Sequence, residues 1–188
     1  MLGLRHYRGV ALDLYQGDLT QFVCDAMVNA ANSQLAGGGG VDGAIHRVGG
    51  PVILDECRRL GGCPPGQAKA TTAGALPAKW VIHAVGPVWE GGGQGEPALL
   101  AAAYHAALAE AARLGARHVA FPALSTGVYG YPWGPAAEVA LTAAKDWIDA
   151  RSPGRETSVR RITFVLFSLD HYHLFQETLF RLFPEADL

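Results

Sequence analysis

The sequence predicts an α/β fold of three layers, α/β/α, with a mixed, largely parallel central sheet of about six strands. Three observations carry this prediction. Short runs of strand length recur along the chain, and several are apolar almost throughout, as parallel strands covered on both faces tend to be. Segments with helical periodicity alternate with those runs. Gly, Pro and Asp mark the boundaries between them. The 188 residues amount to a single domain over 1–188, long enough to bury roughly 70% of its unfolded surface.

In chain order, residues 10–15 and 26–30 read as the first two strands. A glycine-rich loop follows and leads into a helix. Residues 69–73 form a weaker strand, where Thr71 and Thr72 favour a pleated surface. Residues 80–85 are the next strand. Pro97 then takes the first helical position, and Leu100, Tyr104, Ala107, Ala111 and Leu114 recur at helical spacing until Gly115 closes the helix. After a strand at 118–124, Gly134 and Pro135 open a helix that runs to about Ala150 and buries Val139, Ala143 and Trp147. A last strand at 162–167 precedes a helix with Asp170 as N-cap and Leu174, Thr178, Leu179 and Leu182 facing inward. Residues 91–95 and 151–159 read as surface loops, and no internal repeat is present.

Composition excludes several classes. Net charge is −2, so no global field attracts nucleic acid or an acidic membrane, and an anionic ligand must be held by local donors. Three cysteines without a CxxC pair argue against a disulfide framework and fit a reducing cytosol. No apolar run approaches the ~20 residues of a membrane span, and residues 1–10 lack an apolar leader core. The expectation is a cytoplasmic chain. With no exposed apolar helix to demand a partner, it is expected to be a monomer.

The densest signal is Asn29-Ala-Ala-Asn32-Ser-Gln-Leu-Ala-Gly37-Gly-Gly-Gly40-Val41-Asp42-Gly43-Ala-Ile-His46. It leaves a strand and enters a helix, where open α/β sheets gather ligand-binding loops. Four consecutive glycines imply backbone conformations that side chains forbid, and their N–H groups with a helix N-terminus form a seat for phosphate. The bland alternative is a flexible loop. Asn29, Asn32 and Asp42 weigh against it, because they bring hydroxyl-binding and acid/base groups. Gly38, Gly40 and Gly43 make a formal G-x-G-x-x-G, but it starts too far past the strand for a dinucleotide fingerprint, and no acidic strand end follows. A Walker loop fails for want of Gly-Lys-Ser/Thr.

A second loop, Pro122-Ala-Leu-Ser125-Thr126-Gly127-Val128-Tyr129-Gly130-Tyr131-Pro132, also leaves a strand and enters a helix. Its small residues leave backbone donors open to an anion, and Tyr129 and Tyr131 offer rings for a sugar or base. Ser125 lacks the G-x-S-x-G context of a hydrolase nucleophile.

Together these segments resemble the macrodomain family. The resemblance runs through Gln16-Gly17-Asp18, the Asn-Ala-Ala-Asn and glycine stretch, Gly66-Gln-Ala-Lys69, Val81-Ile-His-Ala-Val-Gly-Pro87 and the second loop, covering nearly the whole chain in order. The first loop is similar to the MacroD-type branch, whose members remove ADP-ribose from acidic side chains and deacetylate O-acetyl-ADP-ribose. The resemblance implies that Asp18 accepts from the adenine amino group beside the Leu19 amide, and that Phe167 packs on the adenine face. It implies that Asn29 and Asn32 lie near the distal ribose, bordered by Tyr129. Gly39, Gly40, Val41 and Asp42 on one side, and Ser125, Thr126, Gly127, Val128 and Tyr129 on the other, would wrap the diphosphate. Ala30, Gly38, Gly43 and Leu124 complete the implied contacts. Partners would be ADP-ribose, O-acetyl-ADP-ribose and ADP-ribosylated proteins. ADP-ribose is ligand or substrate, and no cofactor or metal is implied.

On this reading Asp42 orients or deprotonates the attacking water, the ligand's own diphosphate assisting, while Asn32 fixes the ribose. Asp42 as a mere helix N-cap is the alternative. A non-catalytic ADP-ribose reader is the rival function, and processing of nucleic-acid ends finds no basic patch to support it. His46, His171 and His173 lack zinc-site spacing. His83, inside an apolar strand, reads as a hydrogen-bonded core histidine. Trp80, Trp89, Trp133 and Trp147 read as packing residues.

Overall fold

The computed structural model describes residues 3–151 and 157–184. Its sheet has seven strands rather than about six. They are β1 (Leu4–Tyr7), β2 (Val10–Gln16), β3 (Ala26–Ala30), β4 (Ala68–Thr72), β5 (Trp80–Ala84), β6 (His118–Phe121) and β7 (Arg161–Leu166). The spatial order is β1-β2-β7-β6-β3-β5-β4. β2, β7, β6, β3 and β5 run parallel, and the two edge strands, β1 and β4, are antiparallel to their neighbours. β1 is the strand that the sequence reading lacks. Its alternation is half-buried and exposed, without an apolar row to betray it.

Five helices cover the sheet: α1 (Gly40–Gly49), α2 (Pro51–Leu60), α3 (Glu96–Leu114), α4 (Trp133–Asp149) and α5 (Leu169–Leu182). α3, α4 and α5 close over one face, and α1 and α2 over the other. Side-chain alternation along the strands sorts residues between the two faces. Val28, Ile82, Phe121, Phe164 and Leu166 join the α3–α5 core, while Met27, Val81, Ala120 and Val165 join the α1–α2 core. The buried polar residues of the strands share the second face. Asp13 stands opposite Thr163 and Asn29 opposite His83.

Helix boundaries follow the expected punctuation with three shifts, the first being that α3 begins at Glu96, one residue before Pro97. Gly115 closes α3 in the left-handed region, its N–H returning to Ala111 and Ala112. α4 begins at Trp133, and its buried stripe is mostly alanine (Ala136, Ala137, Ala140, Ala143 and Ala144), which lets it lie close between α3 and α5. Val139 and Trp147 are half-buried at the margin of that stripe. The N-cap of α5 is Ser168, not Asp170. The Ser168 hydroxyl accepts from the His171 N–H, and Asp170 sits inside the first turn, where its charge suits the helix dipole. Of the expected loop at 151–159, residues 152–156 lie outside the described residues. Cys24, Cys57 and Cys63 are all buried and free. No helix among the described residues is long and apolar enough to cross a membrane.

Candidate functional site

The five parallel strands end on one side of the molecule, where a cleft of about 770 Å³ opens. Its wall is built from the segments that follow them: Gly17 to Thr20 after β2, Ala30 to Asn32 after β3, Gly86 after β5, Pro122 to Tyr129 after β6, and Phe167 and Ser168 after β7. α1 adds Gly40, Val41, Asp42, Ala44 and Arg47. Carboxyl ends of parallel strands are the expected seat of a ligand in such sheets.

The first loop reaches α1 through Gly39, an N-cap with no side chain to cap with. Among the described residues the N–H groups of Gly38, Gly39, Gly40, Val41 and Asp42 donate to no protein acceptor. They are the orphan donors of a helix start, and they carry its positive dipole end. Gly40 has φ +58°, which a side chain would resist. Gly43 is small for another reason: a Cβ there would run into the Gly38 carbonyl against which α1 packs. Asn32 braces the same loop, donating from Nδ2 to Gly37 O at 2.9 Å and accepting from Ala36 N at 3.1 Å.

Asp42 is therefore not the N-cap of α1. It stands in the first helical turn and is buried. Its Oδ1 accepts from Asn29 Nδ2 at 2.7 Å and lies 3.3 Å from His46 Nε2 one turn on. Its Oδ2 is turned toward Gly38, where Asn32 Nδ2 also approaches. One carboxylate oxygen is thus tied to the protein, and the other borders the cleft beside an amide donor.

The second loop is built to expose amides. Ser125 has φ +67°, Thr126 Oγ1 donates back to Ala123 O at 2.7 Å, and Tyr131 N closes onto Ser125 O at 2.9 Å. Tyr104, buried beneath the loop, donates to Pro122 O and accepts from Leu124 N. Five successive N–H groups, from Ser125 to Tyr129, find no protein acceptor among the described residues. Such a run of backbone donors is an anion-binding concavity. The loop is held from outside by Trp89, whose N–H donates to Tyr129 O at 2.8 Å and whose ring lies 4.6 Å from that of Tyr131.

At the far end, Asp18 caps the short 3-10 turn Leu19–Gln21, its Oδ1 accepting from Thr20 N and Thr20 Oγ1. Oδ2 has no hydrogen bond among the described residues. Gly17 N donates to Leu166 O, fastening the ends of β2 and β7 together and bringing Asp18 and Phe167 to the same wall. Phe167 is 81% exposed and Val128 96%, large apolar side chains left bare at the rim.

Asp18, Leu19, Ala30, Asn32, Gly38, Gly39, Gly40, Val41, Asp42, Leu124, Ser125, Thr126, Gly127, Val128, Tyr129 and Phe167 all line the cleft. Asn29 and Gly43 do not. Asn29 is fully buried inside β3 and meets the cleft through Asp42 alone. The sequence reading missed Arg47, Gly86, Ser168, Trp133 and His171, which also line it. Trp133 is thus more than packing: it stacks on the His171 ring with centroids 3.4 Å apart. Trp133 opens α4 and His171 lies in the first turn of α5, so the signal was position, since helices following parallel strands begin at the ligand end.

Behind Asp42 the fold gathers His46, Cys57 and His83, with potential ligand atoms within 4.8 Å of one another, although their sequence spacing is not that of a zinc site. His83 is a buried core histidine. Its Nε2 lies 2.9 Å from Thr71 Oγ1 and 3.6 Å from Cys57 Sγ, and its Nδ1 lies 3.1 Å from Asn29 Nδ2. Burial, with the His46 imidazole adding to it, pulls its pKa down to about 3. Burial, then the Asp42 and Glu56 carboxylates, pushes the Cys57 thiol up to about 11. Both groups are neutral, and the arrangement is a hydrogen-bonded cluster supporting the cleft floor.

Comparison with known proteins agrees with this geometry. The sequence profile of the family described as Macro domain matches residues 28–140. A protein from Enterobacter cloacae named O-acetyl-ADP-ribose deacetylase is 48% identical over 172 residues, covering 89% of this chain and 93% of its own. A macro domain-containing protein from Cupriavidus necator is 49% identical over 175 residues, 91% of this chain and 98% of its own. Among solved structures, a mutant of the Oceanobacillus iheyensis macrodomain with ADPR superposes with a TM-score of 0.89 at 34% identity, covering 97% of this chain and 98% of that one. The Trypanosoma brucei macrodomain in complex with ADP-ribose gives 0.80 at 40% identity, over 88% and 68%. With its profile match, its close relatives and its two loops over one cleft, the chain belongs to the Macro domain family.

Proposed function

We propose that this chain binds ADP-ribose in the cleft and hydrolyses its conjugates, O-acetyl-ADP-ribose and ADP-ribose esters on acidic side chains. The observation that carries this reading is the pairing of two runs of free amides across one cleft, with a half-tethered carboxylate beside them. Amides from Gly39 to Asp42 and from Ser125 to Tyr129 would hold the diphosphate without help from net charge. Asp18 Oδ2 would accept from the adenine amino group, with Phe167 against the ring face. The distal ribose would then lie beside Asn32, Asp42 and Tyr129. The relative named O-acetyl-ADP-ribose deacetylase and the neighbours solved with ADP-ribose support this direction.

For an acetyl ester, a water held by Asp42 Oδ2 adds to the carbonyl carbon. The ribose C–O–acyl bond breaks on the acyl side, the ribose oxygen takes a proton, and acetate and ADP-ribose leave. Asp42 orients the water, and the ligand's diphosphate assists in taking its proton. A purely binding role would require the amides and Asp18, but not the Asp42 carboxylate. Buried thiols suit a reducing, cytoplasmic setting for this activity.

Two assays on one sample test the reading. The chain is incubated with O-acetyl-ADP-ribose and with glutamate-linked mono-ADP-ribosylated protein, and free ADP-ribose is followed. Release from either substrate, abolished in Asp42→Ala while ADP-ribose binding persists, is the expected result. Binding without release would make the chain a reader, and undiminished turnover in Asp42→Ala would remove that residue from the mechanism.

A further inference from the structure

Four side chains from four different elements form one directed line of hydrogen bonds ending on Asp42, and the direction of every bond is fixed by its far end. Thr71, on β4, donates its hydroxyl hydrogen to Thr72 O at 2.9 Å. Its oxygen therefore faces His83 Nε2, 2.9 Å away, as an acceptor. That contact requires the proton of the neutral imidazole to sit on Nε2, which leaves Nδ1 with a lone pair. Nδ1 accordingly accepts from Asn29 Nδ2 at 3.1 Å. The Asn29 amide can then turn only one way, nitrogen toward His83, and its second hydrogen goes to Asp42 Oδ1 at 2.7 Å. The opposite rotamer would set two acceptor oxygens against each other.

Each group in the line is out of water. Asn29 is 0% exposed, His83 1%, Thr71 5% and Asp42 7%. Water cannot readily substitute for a missing partner, so the order of donors and acceptors is enforced by the interior. The register of the sheet supplies the geometry. Asn29 and His83 are direct partners on β3 and β5, on the face that α1 and α2 cover. His46 on α1 and Cys57 on α2 flank the imidazole, and burial keeps it uncharged, so it does not compete for the Asp42 carboxylate as a cation.

We infer that Thr71 and His83 are positioning residues for the reaction: they fix the tautomer that turns Asn29 to donate to Asp42 Oδ1, so that Oδ2 is presented to the cleft. The inference rests on the hydrolase reading for what Asp42 does, but not for the line of hydrogen bonds itself. Neither Thr71 nor His83 lines the cleft, so their effect is on turnover rather than on ligand affinity.

The test has two independent readouts on the full chain. The first is a long-range proton–nitrogen correlation spectrum of ¹⁵N-labelled protein. His83 should carry its proton on Nε2 and a bare Nδ1 at pH 7. A proton on Nδ1, or on both nitrogens, would overturn the relay. The second is kinetic. Thr71→Val keeps the shape but removes the hydroxyl. It should leave the ADP-ribose dissociation constant within about twofold and lower kcat on O-acetyl-ADP-ribose by roughly 10- to 100-fold, the scale expected when a reacting group is slightly misplaced. Thr71→Ser should restore most of the loss. Should the valine variant fold poorly, His83→Asn and His83→Leu give the same contrast. Asn returns an acceptor near the Nδ1 position and should retain more turnover than Leu. Wild-type kcat in Thr71→Val, or equal kcat in the two His83 variants, would overturn the positioning role. A wild-type chain that binds ADP-ribose without turnover would sink the hydrolase reading instead, and the nitrogen spectrum would still decide the relay.

Discussion

Gly86 and Ser125 are packed so closely that a Cβ built on Gly86 would lie well inside contact distance of Ser125 Oγ. The two residues follow different strands, β5 and β6, and meet on the cleft wall. Ser125 begins the run of five free amides, and its positive φ sets their direction. Gly86→Ala should therefore push against Ser125 and shift the run of amides that it begins. The expected loss in ADP-ribose affinity is on the order of tenfold, as for a mild overpacking of 1–3 kcal/mol. Calorimetry with ADP-ribose reads it. Unchanged affinity would mean that the loop does not depend on this contact.

Asp18 has two duties, and one substitution separates them. Ala would remove both the cap on the 3-10 turn and the group that faces adenine. Asn keeps an oxygen for Thr20 N but puts an amide where a carboxylate oxygen faces the cleft. Asp18→Asn should weaken ADP-ribose binding by roughly tenfold, the value of a hydrogen bond to a charged group, while ribose 5-phosphate binding stays near wild type. Equal losses for both ligands would break the adenine assignment.

Glu96 ties down the loop that carries Trp89. Its carboxylate accepts from the N–H groups of Glu90, Gly92 and Gln94. Burial pushes its pKa up, but the backbone N–H bonds more than offset this, and the net shift is downward. A depressed carboxylate stabilises the fold above the ordinary glutamate range, and that contribution is lost as pH falls through and below it. Amide exchange at Glu90, Gly92 and Gln94 should accelerate on acidification in the wild type. In Glu96→Gln the same amides should be poorly protected already at pH 7. Protection that survives the Gln substitution would show that the loop has another anchor.

His83 gives the opposite titration type the same sign. It faces His46 on α1 and Cys57 on α2, and it is neutral when folded, with a pKa of about 3. An unfolded histidine protonates near 6.5, so the unfolded chain gains a proton first as pH falls. Stability attributable to His83 is whole above that value and declines by on the order of 1 kcal/mol per pH unit toward 3. Urea unfolding at pH 7 and pH 4.5 reads the difference, and His83→Asn should flatten it. Parallel pH dependence in the two proteins would assign the acid sensitivity elsewhere.

Much of this arrangement was legible in the sequence, and the exceptions have physical causes. β3 and β5 announce themselves as runs apolar at all but one position each, Asn29 and His83, because both of their faces are covered. β1 does not, since Leu4–Tyr7 is an exposed edge with no apolar row to read. The two loops stand out because glycine, asparagine and aspartate cluster there. Gly86, Trp133 and His171 do not, because strand order, not sequence distance, brings them to the cleft. The family resemblance implies that Asn29 lies near the ribose. It is still within β3, on the same face as Met27, and alternation points it under α1 rather than off the strand's end. Asp42 is legible as the acidic residue beside the glycines, but its tether to Asn29 lies across elements and leaves no spacing signature.

The sealed cysteines have a practical corollary. Burial pushes the Cys24 thiol up to about 12, with the Asp25 carboxylate adding to it, and holds Cys57 near 11, so almost no thiolate exists at neutral pH while the chain is folded. Alkylating reagents act on thiolate. All three sulfurs lie in the core beneath α1 and α2, so their slow labelling would count excursions to open states and make the protein its own gauge of how often that layer lifts from the sheet.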